Sequence, residues 1–279
     1  MALLTSQQLN QYYEKYKNID VTFTKEVIRA IGLLTKQVFI KCLGYQWPCI
    51  IYSSSMSEAK VLANMTPDNF DRIRNANNVV SLRFAFCEAD KPDPFTFFVT
   101  AKITGFNPYN PDKPNLNFIS LLYTQRPPDD LIGILGNLLD VNVNSKKRKE
   151  ERIIITADSL RKMGLKTKST KLLVQGIPRN GIIRDLSFSG AKVVIPGIAK
   201  FLVDKECSLV LLSTDNKIIT IKGKIVRFEA VEGRKDIAAV AMQFNEDMVP
   251  MEYKIMINDY LRLQKSTQPA SKAPPETPA

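Results

Sequence analysis

Two short groups of polar residues, separated by about thirty positions, carry side chains suited to holding an anionic ligand. Arg148 and Arg152 each supply a forked, permanently charged donor for phosphate oxygens or for the O6 and N7 atoms of guanine. Asp185 and Ser187 lie two apart on a predicted strand, so both should face one side and meet the Watson–Crick edge of guanine. Gly190 should let the backbone turn tightly and a ligand come close. Together these residues predict a pocket for an anionic guanine nucleotide.

Each group also has an ordinary interpretation when it is taken alone. Paired arginines in a lysine-rich run are most often part of a solvated linker. The pattern Asp-x-Ser-x-x-Gly is usually turn chemistry, in which Asp and Ser bond to nearby backbone and Gly accepts positive φ. The order of the two groups, and a spacing that fits one or two strands, favour a binding site over these separate explanations.

Length and composition indicate a soluble protein of two domains. The chain has 279 residues, of which 44% are hydrophobic, enough for each domain to bury its own core. No apolar run approaches the roughly eighteen residues that a membrane helix needs. The first residues lack the apolar segment of a signal peptide, so a cytoplasmic location is expected.

The residue types argue against several kinds of catalytic site. The chain has no histidine, which removes Ser-His and Cys-His catalysis and the usual general base near neutral pH. Its four cysteines have no metal-ligand spacing, so buried reduced thiols are expected and no metal site. No glycine-rich loop ends in Gly-Lys-Ser or Gly-Lys-Thr. A binding protein without catalytic residues or a cofactor is therefore predicted.

The positive charge is concentrated in the second half of the chain. Residues 1–141 hold 14 basic and 13 acidic side chains, whereas the remainder holds 25 basic and 15 acidic ones. The net charge of +11 thus divides into +1 and +10. This asymmetry predicts an anionic partner for the second half, which could be a nucleotide, a nucleic acid or an acidic protein surface.

An internal repeat relates the two halves. Shifted by 132 positions and without a gap, residues 49–62 align with residues 181–194 and match at seven of fourteen positions. Both halves are therefore predicted to be copies of one fold. The first copy lacks the ligand chemistry, because the positions of Arg148, Arg152, Asp185 and Gly190 are taken there by Tyr16, Asp20, Ser53 and Glu58. The first copy should not bind the same anion.

Each copy contains many short alternating strands bounded by turn residues, which predicts a small closed or nearly closed β-barrel. In the first copy the predicted strands are 38–43, 49–52, 79–86, 95–104 and 116–123. In the second they are 170–175, 181–186, 191–195, 208–212, 217–228 and 237–244. Helices are predicted over 9–16 and, after each barrel, over 129–139 and 248–263.

These elements divide the chain into four parts. Residues 1–141 form a degenerate first domain, and residues 142–152 form an interdomain linker that begins as a polar connector and contains both arginines. Residues 153–264 form the second domain. Residues 265–279, rich in Pro, Ala, Ser and Thr, are predicted to be a disordered tail.

The chain resembles the tandem PilZ receptors of spirochaetes, the PlzA type, over roughly residues 5–264. The segments that carry the resemblance are 118–131, 146–152, 183–192 and 224–228. The resemblance implies a six-stranded β-barrel in each domain, cyclic di-GMP as ligand, no catalysis, and a role in motility and virulence control.

The resemblance also implies roles for individual residues. Arg148 and Arg152 would clamp the phosphates and guanine, Asp185 would accept from guanine N1–H and N2–H₂, and Ser187 would add a hydroxyl contact. Gly190 would leave room for the purine. Secondary contacts are expected from Lys147, Lys149 and Ser189.

We expect the response to be a change of interdomain orientation in a monomer, read by a downstream protein partner that the sequence does not identify. One alternative is a nucleic-acid-binding protein that uses the basic second half. Another is a structural adaptor that uses the degenerate first barrel.

Overall fold

The computed structural model describes residues 4–87, 93–113, 115–231 and 233–267. The chain divides into two compact units, Met1–Asp140 and Val141–Ala279. Each unit contains a closed antiparallel barrel of six strands, and an α-helix follows each barrel. The prediction of a mainly β chain with two tandem six-stranded barrels and flanking helices is confirmed.

The first unit begins with two helices and closes its barrel through the pairing of its third and fourth strands. The helices are α1 (Ser6–Tyr16), α2 (Lys25–Ile31), α3 (Pro67–Asn75) and α4 (Asp129–Lys147), of which α4 begins in the first unit and ends in the second. The strands are β1 (Val21–Thr22), β2 (Phe39–Cys42), β3 (Tyr45–Ser54), β4 (Glu58–Asn64), β5 (Val79–Phe86), β6 (Phe95–Pro108) and β7 (Leu116–Tyr123). Around the barrel the order is β3, β2, β5, β6, β7 and β4, and the short β1 pairs with the end of β3.

The second unit repeats this plan. Its helices are α5 (Ala157–Lys162) and α6 (Met251–Thr267). Its strands are β8 (Ile153–Ile154), β9 (Ser169–Val174), β10 (Ile177–Leu186), β11 (Gly190–Pro196), β12 (Glu206–Leu212), β13 (Ile218–Val231) and β14 (Arg234–Phe244). The barrel order is β10, β9, β12, β13, β14 and β11, and β8 pairs with the end of β10.

Alternation of buried and exposed side chains explains why these segments form barrel strands. In β4, Ala59, Val61 and Ala63 are buried while the residues between them are partly exposed. Successive side chains of a strand point to opposite faces, so every second side chain of β4 lies in the barrel interior and the others lie on its outer surface. Closure then pairs the strands that would otherwise be sheet edges.

The predicted repeat is confirmed down to strand register. Strands β10 and β11 have the bounds of β3 and β4 moved by 132 positions. Both pairs carry a bulge at the same place, between Ile51 and Ser53 in the first copy and between Ile183 and Asp185 in the second. The same offset relates β1 to β8 and their pairing with the barrel.

The prediction of a polar connector over residues 142–147 is wrong. Helix α4, predicted to end at residue 139, continues to Lys147, so these residues are its last turns. The helix extends because tertiary contacts outweigh the weak helix propensity of Asn and Ser. Val141 is fully buried, and the Asn144 side-chain amide donates to the Asn258 side chain at 2.8 Å.

The remaining helix predictions differ from the structure only at their ends. Helix α1 starts three residues before the predicted start, where Thr5 caps it and forms a capping box with Gln8. Helix α6 begins at Met251 and ends at Thr267. The predicted tail over 265–279 therefore begins inside α6, and its residues 268–279 lie outside the described residues.

Neither a membrane span nor a metal cluster occurs among the described residues. No helix within them is long and apolar enough to cross a lipid bilayer. No group of three His, Cys, Asp or Glu side chains in the same residues could hold a metal ion. Cys42, Cys49 and Cys207 are buried free thiols, and Cys87 is exposed, unlike the expectation that all four are buried. Burial raises the pKa of Cys49 and Cys207 to about 12.

Candidate ligand-binding site

Arg148 lies in the turn that follows helix α4. Its backbone N–H donates to the carbonyl of Asn144 at 2.8 Å, and residues 148–150 turn toward β8. Its guanidinium donates to both carboxylate oxygens of Glu151, from Nε at 2.5 Å and from NH2 at 2.6 Å. The Arg148 side chain is only 14% exposed. This forked cation is therefore occupied by an acid of its own segment.

Pairing of β8 with β10 brings the two predicted groups together. The ladder sets Ile153 opposite Leu186 and Ile154 opposite Asp185. Arg152, which immediately precedes β8, therefore reaches Asp185 and donates to its carboxylate at 2.6 Å. The Asp185 side chain is 15% exposed and that of Arg152 is 39% exposed. Residues 33 positions apart in sequence thus form one charged contact at the barrel surface.

Ser187 is not placed as the sequence predicted. Strand β10 ends at Leu186, so Ser187 does not continue the alternation that would put it on the face of Asp185. Its side chain is fully buried, and its hydroxyl accepts from the N–H of Gly190 at 3.1 Å and donates to the carbonyl of Gly190 at 3.2 Å. The backbone N–H of Ser187 bonds to the same carbonyl at 2.8 Å. Ser187 therefore fixes the shape of the turn between β10 and β11.

Gly190 does not have the positive φ that a tight turn can demand of a glycine, but it lies against the neighbouring strand. Its φ is not in the left-handed region, so the turn itself does not demand a glycine there. A Cβ atom at this position would instead lie 2.4 Å from the carbonyl oxygen of Met242 on β14. Such an approach is far inside van der Waals contact, which explains the absence of a side chain.

Ser189 and Lys149 connect the turn to the arginine segment. The Ser189 hydroxyl donates to the backbone carbonyl of Lys149 at 2.9 Å and lies 3.1 Å from the Glu150 carboxylate. Lys149 pairs with Glu246 at 2.7 Å, and this hydrogen bond raises the pKa of Lys149 and lowers that of Glu246. Lys147 is the exposed last residue of α4. Ser189 and Lys149 therefore lie beside the turn, at the same end of the second barrel as Arg152 and Asp185.

Tyr253 on helix α6 contacts the turn between β10 and β11, and no sequence pattern had pointed to this residue. Its hydroxyl donates to the carbonyl of Ser187 at 2.7 Å, and its ring packs edge-on against Phe244 with centroids 5.5 Å apart. Full burial, with Asp185 nearby, raises the pKa of Tyr253, so the phenol stays protonated and remains a donor. In the sequence Tyr253 is only one of several apolar positions on α6, and no local pattern distinguishes it.

A second cationic group borders Asp185 on the barrel surface. Lys192 on β11 is the cross-strand partner of Asp185. It pairs with Glu229 at 2.5 Å, and Arg227 lies 3.6 Å from the same carboxylate. The hydrogen bond from Lys192 lowers the pKa of Glu229. The end of the barrel thus combines several cations, each with an acidic neighbour.

Comparison with known proteins identifies both units. Residues 7–142 match the PilZN3 domain, and residues 146–262 match the PilZ domain. The chain is 47% identical, over 272 residues, to a protein of Treponema denticola named cyclic di-GMP binding protein. That alignment covers 97% of this chain and 86% of the relative. The chain belongs to the PilZ family, with a PilZN3 and a PilZ domain in tandem.

Two solved structures are also similar. The PlzA protein of Borreliella burgdorferi in complex with c-di-GMP is 24% identical, with a TM-score of 0.41 and coverage of 92% of this chain and 99% of the other. The inhibitor of motility MotI/DgrA of Bacillus subtilis is 12% identical, with a TM-score of 0.32 and coverage of 85% and 98%.

The PilZN3 domain contains the same turn as the PilZ domain. In it, Ser55 N–H donates to the carbonyl of Glu58 at 2.9 Å, and the Ser57 hydroxyl donates to the carbonyl of Lys17 at 3.3 Å. At the position of Arg148 the PilZN3 domain has the buried Tyr16, whose hydroxyl donates to Asp140 at 3.2 Å. The serine network is therefore shared scaffold, while the arginines and the aspartate belong to the PilZ domain alone.

Proposed function

We propose that this chain is a cytoplasmic receptor for cyclic di-GMP and binds it at the end of the PilZ domain. The observation that carries the proposal is the β8–β10 pairing, which sets Arg152 against Asp185 beside the turn at residues 187–190. The choice of ligand is supported by the Treponema denticola relative, which is similar over nearly the whole chain and is named cyclic di-GMP binding protein. In this proposal the ligand is bound and not transformed.

The residues take different roles in the proposed complex. Arg148 and Arg152 clamp phosphate oxygens and the O6 and N7 atoms of guanine, since their forked guanidinium groups match both. Asp185 accepts hydrogen bonds from guanine N1–H and N2–H₂. Ser187 and Gly190 contribute through the turn, whose shape they fix.

Three further residues are proposed as secondary contributors. Ser189 holds the arginine segment to the turn through the Lys149 carbonyl. Lys147 and Lys149 add positive potential at the same end of the barrel.

Titration calorimetry of the full chain with cyclic di-GMP tests the proposal. A charge-assisted hydrogen bond contributes roughly 1.5–3 kcal/mol, so R148A or R152A alone should weaken binding about tenfold to a hundredfold. The double variant should show no binding. R161A is the matched control, because Arg161 pairs with Asp158 on the open surface and its side chain is 80% exposed.

The outcomes separate the proposed function from its alternatives. Undiminished binding by the double variant would overturn the assignment of the site. Affinity for oligonucleotides that falls steeply with salt and survives in the double variant would instead favour a nucleic-acid-binding protein.

We further propose that ligand binding changes the orientation of the two domains and so exposes a surface to a downstream partner. Support comes from position, since Arg148 follows the boundary between the units at Asp140 and Val141 by a few residues. Helix α4 continues across that boundary to Lys147, and residues 148–152, which follow the helix, are the segment that we propose responds to the ligand. Identical X-ray scattering profiles with and without saturating ligand would contradict the reorientation while leaving the binding proposal intact.

A further inference from the structure

The guanidinium of Arg148 is engaged before any ligand arrives. Both of its contacts go to Glu151, three residues on, and each carboxylate oxygen receives one hydrogen bond. These are the N–H groups that would face a phosphate. A ligand that uses this edge of the Arg148 guanidinium must therefore take the place of a carboxylate held in fork-to-fork geometry.

The pair is local and partly shielded from water. A backbone hydrogen bond from Glu151 N–H to the Arg148 carbonyl, at 3.0 Å, closes the turn that carries both side chains. The Arg148 side chain is 14% exposed, whereas Arg161 in the comparable pair with Asp158 is 80% exposed. Water and salt screen a partly buried pair less than an exposed one, so the Arg148–Glu151 pair should be the stronger.

We propose that Glu151 is an internal competitor of the ligand phosphate for Arg148 and thereby sets the affinity of the site. This inference rests on the proposed cyclic di-GMP function. Glu151 is tethered beside Arg148, so its local concentration is high, and binding must exchange one charge-assisted pair for another. The free energy needed to break the Arg148–Glu151 pair therefore reduces the free energy gained when Arg148 pairs with the ligand phosphate.

Glu151 differs in this respect from the other acid at the site. Asp185 also pairs with a motif arginine, Arg152, but Asp185 is itself expected to contact guanine and so remains useful after binding. Glu151 has no expected ligand contact, and its side chain is 42% exposed. Once displaced, its carboxylate is free to turn into water. Removing Glu151 should therefore strengthen binding, whereas removing Asp185 should weaken it.

The test compares E151Q and E151A with E150Q in the full chain, using cyclic di-GMP and titration calorimetry. We expect E151Q and E151A to bind roughly tenfold more tightly, the equivalent of about 1.4 kcal/mol for a partly buried, bidentate pair. E150Q removes an equal negative charge from a residue that contacts Ser189, and it leaves the contact of Arg148 with Glu151 in place. Its gain in affinity should therefore be less than about threefold. Equal gains in all three variants would overturn the competition, because charge alone would then explain them.

A double-mutant cycle makes the test specific to Arg148. In an R148A background E151Q should give no gain, since no guanidinium remains to be released. A tenfold gain that persists without Arg148 would overturn the inference. Measurable binding by the original chain with no gain in E151Q or E151A would overturn the competition and leave the receptor function standing. Absence of binding by every variant, the original chain included, would overturn both.

Discussion

Replacing Gly190 with alanine distinguishes two explanations for a glycine at this position. The added Cβ would lie 2.4 Å from the Met242 carbonyl oxygen, a distance that real Cβ atoms do not show. Relief to about 3.0 Å requires β11 and β14 to separate by roughly 0.6 Å where Gly190 pairs with Gln243. Overpacking of this kind costs about 1–3 kcal/mol. We therefore expect G190A to destabilise the PilZ domain even without ligand.

Differential scanning calorimetry without ligand measures this cost. For a unit of this size each kcal/mol shifts the unfolding temperature by about 3–5 °C, so the transition of the PilZ domain should fall by roughly 3–15 °C. The single tryptophan, Trp47, lies in the PilZN3 domain and supplies an internal reference. Its fluorescence transition should stay where it is in the unmodified chain.

Gly105 provides the matched control. It also lies in a barrel strand without positive φ, and a Cβ there would meet its nearest neighbours, two atoms of Ser120, at 4.0 Å. G105A should therefore leave stability nearly unchanged. If G190A melted like the unmodified chain but bound no cyclic di-GMP, the steric argument would be refuted, and the glycine would serve the ligand alone.

Two further predictions concern the support of the turn and the acid stability of the barrel. Y253F removes the buried donor to the Ser187 carbonyl and should cost about 1–2 kcal/mol in the free energy of unfolding, measured by urea denaturation. The hydrogen bond from Arg234 lowers the pKa of Asp236 to about 2. Because the pKa of Asp236 is lower in the folded state than in the unfolded state, its carboxylate stabilises the fold above about pH 4. That contribution is lost as the pH falls through about 2. The unfolding temperatures of D236N and the original chain should therefore converge between pH 5 and pH 2.

A control for the first of these predictions lies in the PilZN3 domain. Y109F removes a hydroxyl from a tyrosine that is 53% exposed, so it should not change stability, and a loss equal to that of Y253F would contradict the role of the buried hydrogen bond. A constant difference between D236N and the original chain across the pH range would contradict the assigned ion pair.

Much of the fold could be predicted because it depends on patterns that the sequence shows directly. The gap-free offset of 132 positions predicted that the two halves share one fold, and β3 and β4 do correspond to β10 and β11. Strand β4 itself and the bulges in both pairs were not predicted. Strict alternation of apolar residues identified most barrel strands. The end of α4 was not predictable, because residues 142–147 become helical through the burial of Val141 and the contact with Asn258, which lies more than a hundred positions away.

The candidate site divides in the same way. Arg148, Arg152 and Asp185 could be chosen from residue type and spacing, and the structure brings Arg152 and Asp185 together. The burial of Ser187 could not be foreseen, because it depends on where β10 ends. Nor could the contact of Tyr253 with the turn be foreseen, since Tyr253 and Ser187 lie 66 positions apart in the sequence.

The sequence by itself determined the chain's two-copy plan and the set of charged groups that can meet an anion. Those properties are local, because they depend on residue type, spacing and periodicity. Only the tertiary structure decided that Gly190 is needed for the Met242 carbonyl and that the fork of Arg148 is already occupied by Glu151. Both depend on how closely backbone and side chains approach one another in the folded barrel, and such distances follow from packing and not from order along the chain.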